Sequence, residues 1–178
     1  MKRLFFALDL NDTDKHTITL WREQHLSLTA KPVKSENLHI TLAFLGMVEP
    51  EQQQTLMEFC DQQFLPQTSQ PKKHFNIDCN QLALFKKAKA LYLGCQHFPK
   101  PLIKLATLLS QQAIELGIIQ ESRQYHPHIT IYRKAKSLPD NSKCQLDLTI
   151  NSFSLYHSKS TPDGVSYIPL KTWSLVQK

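Results

Sequence analysis

His39-Ile40-Thr41-Leu42 and His128-Ile129-Thr130-Ile131 are one phrase written twice, each copy inside an apolar run of strand length. Side chains alternate along a strand with period 2, so a His and a Thr two apart share a face while the intervening Ile turns to the other. Each copy therefore presents an imidazole and a hydroxyl together, backed by residues suited to a core. With 8 His and 12 Thr in 178 residues, a His-x-Thr triplet is expected only about 0.5 times. Two copies sharing the same Ile point to duplication.

The flanks support this. Residues 3–9 read as a strand, and Asn11-Asp12-Thr13 opens a helix with Ile18, Trp21 and His25 at spacings of three and four. A strand over 38–45 ends at Gly46, and Glu49-Pro50 opens a second helix with Leu56, Met57, Cys60 and Phe64 on its buried stripe. Residues 75–79 and 90–94 are strand-like, separated by the basic segment Lys86-Lys87-Ala88-Lys89. Then the order repeats. Pro99-Lys100-Pro101 leads into a helix with Leu102, Leu105, Ala106, Leu109 and Ala113 on one face, stopped by Gly117. A strand over 126–133 follows, then strand-like runs over 146–156 and 165–176 around the turn Thr161-Pro162-Asp163-Gly164. Overlaying the copies lays Leu4 to Leu8 on Leu91 to Cys95, so strand, helix and His-Ile-Thr strand occur twice. Two related lobes would bring the His-Thr pairs face to face across a groove.

At 178 residues the chain suffices for one well-formed core, and a single domain over 1–178 is expected. The net charge of +6 favours a polyanionic partner. Cys60, Cys79, Cys95 and Cys144 are scattered without a Cys-x-x-Cys pair, which reads as reduced cytosolic thiols. The apolar run after Met1-Lys2-Arg3 is cut short at Asp9, too early for a signal peptide, and no stretch approaches the roughly 20 apolar residues of a membrane span. A cytoplasmic protein with no membrane partner is the expectation.

Two imidazoles are a natural acid–base pair near neutrality, one neutral and one protonated, as breaking a phosphodiester requires. Hydroxyls beside them can donate to the non-bridging phosphate oxygens, and Thr holds its donor stiffly. A single strand histidine is more often structural, and Thr is common in strands on shape alone; the repeated pairing is what gives His39, Thr41, His128 and Thr130 their weight. The histidines at 16, 25, 74, 97 and 157 lack such a partner and read as surface or packing residues. His126 shares a face with His128, and with His39 it could make a zinc site, a rival reading without a Cys, Asp or Glu at ligand spacing to support it. No metal and no cofactor is expected. The four glycines form no phosphate-cradling loop, and no Lys-x-Asp-Gly is present, so any ligation must proceed without ATP. Lys86, Lys87 and Lys89 read as a solvated turn before an RNA track.

The segments at 3–9, 36–46 and 126–133 resemble the bacterial 2′-5′ RNA ligase family, also called RNA 2′,3′-cyclic phosphodiesterases, of the 2H phosphoesterase superfamily. The likeness runs from Arg3 to about Trp173. It implies an α+β fold of two duplicated lobes, each an antiparallel-rich sheet with outer helices, the two sheets lining a central groove. It implies hydrolysis of RNA 2′,3′-cyclic phosphate ends, tRNA fragments among them, to 2′-phosphomonoesters by a monomeric enzyme, with reversible 2′-5′ ligation. The sequence is symmetric in its two histidines; that His128 is the base and His39 the acid is what the family implies, as is phosphate binding by Thr41, Thr130 and Arg133. Arg133 lies five residues after His128, so strict alternation would aim it away unless a bulge intervenes. An RNA-binding module with a decayed site, and a 2H enzyme acting on a small cyclic nucleotide or a 2′-5′ linkage, are the alternatives.

Overall fold

A computed structural model describes residues 1–64, 75–120, 124–139, 143–162 and 164–175. His74, Asp163 of the 161–164 turn and Val176 lie outside the described residues. In chain order the elements are β1 (Lys2–Asp9), α1 (Asp12–His25), β2 (Lys31–Pro32), a 3-10 turn (Ser35–Asn37), β3 (His39–Val48), α2 (Pro50–Phe64) and β4 (Phe75–Cys79). They continue as β5 (Gln81–Phe85), β6 (Ala90–Gly94), α3 (Lys100–Glu115), β7 (Ile129–Arg133), β8 (Leu146–Ile150), β9 (Ser152–Thr161) and β10 (Gly164–Ser174). Among the described residues no helix is long and apolar enough to cross a membrane.

The strands form one sheet in the order β10-β9-β1-β3, a second in the order β2-β7-β6-β5, and the pair β4-β8. Every pairing is antiparallel, as the family likeness implied. The motif strands β3 and β7 approach each other between the two large sheets.

Helix limits follow local chemistry. Asn11 caps α1 by accepting from the Asp14 amide at 2.8 Å. The apolar face of α3 buries Leu102, Leu105, Ala106, Leu109 and Ala113, and the helix stops before Gly117 at φ +76°. Each repeat lends its helix to the other. α3, which follows β6, packs against β3, whereas α1, which follows β1, reaches β7 through Arg22 and β8 through Asp14, whose carboxylate accepts from the Thr149 amide at 3.0 Å.

Three details depart from expectation. The run over 146–156 is two strands, broken at Asn151, with β8 pairing β4 and β9 pairing β1; Asn is a poor strand former, and its carbonyl accepts from the Leu175 amide at 2.7 Å. β5 was not anticipated; it joins β6 in a hairpin across Lys86 to Lys89, where Lys89 takes φ +50°. The register aligns Ala7, opposite Thr41, with Tyr92, opposite Thr130. That offset is two residues shorter than the overlay of Leu4 on Leu91.

Candidate active site

β3 begins at His39, and His128 stands immediately before β7. The two rings are held alike. His39 Nδ1 lies 2.7 Å from the Asn37 carbonyl and His128 Nδ1 lies 2.8 Å from the His126 carbonyl. A carbonyl only accepts, so each Nδ1 carries a proton and each Nε2 is left to exchange protons in the groove. Thr41 Oγ1 is 3.1 Å from His39 Nε2, joining hydroxyl and imidazole in the first pair.

Aromatic walls surround both rings. Phe5 and Tyr167 lie 5.1 and 5.0 Å from His39, and Phe85 and Tyr92 lie 4.9 and 5.4 Å from His128. Burial opposes the charged imidazole and pushes His39 down to about 4, with the charges of His128, Arg133 and Lys15 adding to the effect. His128 is pushed down as well, first by burial and then by His126 and Arg133. Arg133 opposes the charged form of both imidazoles, so its guanidinium stands near each of them.

The placement of Arg133 rests on a β-bulge. Thr130 pairs with Tyr92 and Tyr132 with Leu91, so Ile131 is an extra residue on β7. Parity shifts by one, and Arg133, opposite Ala90, joins Thr130 on the groove face. β3 repeats the device at the same place in the phrase: Thr41 pairs with Ala7 and Ala43 with Phe6, leaving Leu42 extra.

Side chains from the opposite repeat hold both bulged segments. Buried Arg22 of α1 donates from Nη1 to the Val33 carbonyl at 2.6 Å and toward the Ile131 carbonyl at 3.4 Å, with its guanidinium 5.5 Å from the Tyr132 ring centre. Val33 N also donates to the Ile131 carbonyl, at 2.9 Å. Across the groove, the Tyr125 hydroxyl donates to the Thr41 carbonyl at 2.8 Å. A further support reaches His39 through rings. Asp9 accepts from the Tyr156 hydroxyl at 2.7 Å, Tyr156 stacks on Phe5 at 5.3 Å, and Phe5 borders His39.

Arg22, Tyr125, Asp9 and the ring walls escaped the sequence reading. Tyr125 had one legible signal, its place three residues before His128; the others come together only through pairing. Thr41, Thr130, His39 and His128 all face the groove. His126 instead makes edge contacts with Phe85, Tyr92 and Phe98 at 5.9, 5.5 and 6.0 Å. Among the described residues no group of three or more His, Cys, Asp or Glu side chains is placed to hold a metal ion. The arrangement can pass a proton in at one imidazole and out at the other, with hydroxyls and a guanidinium beside the reacting centre.

The family model of the AKAP7 2′5′ RNA ligase-like domain matches residues 9–160. The chain is 34% identical to the RNA 2′,3′-cyclic phosphodiesterase of Escherichia coli (strain K12), over 99% of this chain and 98% of that protein. It is 29% identical to the protein of the same name in Methanocaldococcus jannaschii, over 96% and 99%. The crystal structure of E. coli LigT complexed with 3′-AMP superposes with a TM-score of 0.87 at 32% identity, covering 99% of both chains. The repeated phrase, the two facing sheets and these matches lead to one statement: the chain belongs to the 2′-5′ RNA ligase-like family and carries the 2H phosphoesterase fold.

Proposed function

We propose that the chain hydrolyses RNA 2′,3′-cyclic phosphate ends to 2′-phosphomonoesters by acid–base catalysis between His39 and His128. The observation that carries this reading is the shared tautomer: both Nδ1 atoms donate to a carbonyl two residues back, leaving two Nε2 atoms for the reaction. A water attacks phosphorus while His128 Nε2 takes its proton. The P–O3′ bond breaks, and His39 Nε2 gives its proton to the departing O3′, leaving phosphate on O2′. Thr41, Thr130 and Arg133 donate to the non-bridging oxygens, where charge gathers in the transition state. Replacing water by a 5′-hydroxyl runs the same exchange toward a 2′-5′ linkage and needs no ATP.

The acid role asks His39 to be protonated, which burial opposes in the free protein. A phosphodiester anion seated against Nε2 supplies the opposite charge that raises it, so substrate binding itself arms the acid. Thr41 then loses Nε2 as an acceptor and turns its proton toward phosphate. The names of the relatives support RNA as the substrate class. Following adenosine 2′,3′-cyclic phosphate by phosphorus NMR tests the proposal: the 2′-monophosphate is the expected product, and a 3′-monophosphate or an untouched substrate contradicts it.

A further inference from the structure

The two motif strands are held differently on their outer sides. β7 has a strand there, β2, and the Val33 amide just past it donates to the Ile131 carbonyl at 2.9 Å. β3 has none, because it is the edge of its sheet. An edge carbonyl shielded from water needs a donor from elsewhere. At Thr41 that donor is the Tyr125 hydroxyl, 2.8 Å away and contributed by the other repeat. Burial pushes the Tyr125 hydroxyl well above the ordinary tyrosine range, so it keeps its proton, and stays a donor, across the whole range in which imidazoles titrate.

The reach of this bond comes from its place in the chain. Tyr125 stands three residues before His128, and the stretch between them is stiff. Pro127 fixes its own φ and restricts His126 to extended backbone. The His126 carbonyl in turn accepts from His128 Nδ1 at 2.8 Å. At the far end of the bond, Thr41 holds its hydroxyl 3.1 Å from His39 Nε2. A short path therefore joins the imidazoles: from His128 back to Tyr125, across the groove to the Thr41 carbonyl, and through the Thr41 hydroxyl to His39. Gln120 of the same repeat meets the same edge elsewhere, donating to the Phe44 carbonyl at 3.2 Å, and lies off this path.

We propose that Tyr125 is a positioning residue that sets the span between the two halves of the site, holding Thr41 where its hydroxyl serves both His39 and the phosphate; the proposal rests on the cyclic-phosphate reading above. The Tyr125 ring packs against the core, whereas its hydroxyl makes the bond across the groove. Tyr125→Phe thus removes the bond and keeps the packing.

Steady-state kinetics on adenosine 2′,3′-cyclic phosphate for wild type, Tyr125→Phe, Thr41→Val, the double variant and Gln120→Ala test it. Tyr125→Phe is expected to lower kcat about fivefold, the scale of one hydrogen bond. KM is expected to stay within about twofold, because substrate still binds while a donor to the transition state is misplaced. In the Thr41→Val background the same change is expected to cost less than about twofold, since Tyr125 acts through a hydroxyl that is gone. Gln120→Ala is expected to leave both constants unchanged. Unchanged kcat in Tyr125→Phe overturns the proposal and leaves the cyclic-phosphate reading intact. So does an equal loss in both Thr41 backgrounds, or a loss matched by Gln120→Ala, since either would make the bond a support of the strand edge alone. A wild type inactive on this substrate overturns the cyclic-phosphate reading and the role of Tyr125 with it.

Discussion

β3 and β7 carry the same phrase, the same bulge and the same carbonyl behind each imidazole, yet diverge one step further on. Counting from the bulge, the residue two positions after Leu42 is Phe44, half exposed and opposite Phe5; two positions after Ile131 stands Arg133, opposite Lys31. On the proposed mechanism, duplication supplies two proton-transfer groups, and divergence at the next groove position supplies direction. One flank is aromatic and the other cationic, so a bound ester has distinguishable ends.

Breaking either half of the symmetric part should cost most. His39→Ala and His128→Ala each remove one proton-transfer partner, and kcat is expected to fall by roughly 10²–10⁴ with the thermal midpoint near wild type. Near-normal turnover in either variant would mean that the repeated phrase is structural. The hydroxyls come next. Thr41→Val and Thr130→Val keep shape and lose a donor, so kcat/KM is expected to drop by the equivalent of about 1–3 kcal/mol. Equal losses would show that both hydroxyls contribute alike, and unchanged kinetics in both would make them strand formers.

How much of this was legible before folding differs from feature to feature. The motif residues, the Asn11 cap and the α3 stripe ending at Gly117 are local patterns, and short-range chemistry settles them. The break at Asn151 was hidden because an apolar alternation runs across it on both sides. The turn at Lys86 to Lys89 was legible, whereas β5 before it was hidden because Leu82, Ala83 and Leu84 are helix formers with no β-branched residue among them. Parity alone predicts an outward Arg133, and nothing local reveals the extra residue at Ile131. The bulge belongs to the pairing with β6. Arg22 carries no local signal, because the strand it serves lies 109 residues away.

That distant contact gives the smallest expected effect and sharpens the asymmetry. Arg22→Met fills similar volume but removes the donor to the Val33 and Ile131 carbonyls. kcat/KM is expected to fall severalfold, mainly through KM. If Arg22 acts by aiming Arg133, then Arg133→Ala should cost less in the Arg22→Met background than in wild type, a coupling of about 0.5–1 kcal/mol. Full additivity would leave Arg22 a stabilising residue with no part in aiming the phosphate site.

The central claim is that two imidazoles share the proton work with no metal, and the pH profile of kcat/KM after exhaustive EDTA treatment tests it most directly. The base must be neutral, so activity is lost as pH falls through its pKa; the acid must be charged, so activity is lost as pH rises through its own. Both histidines are pushed below the ordinary 6.5, His39 to about 4. The account therefore predicts a bell whose two limbs lie on the acid side of 6.5, falling steadily from about pH 6 to pH 8 and unchanged by the chelator. Activity that disappears with EDTA and returns with zinc, or a profile still rising through pH 8, would contradict it.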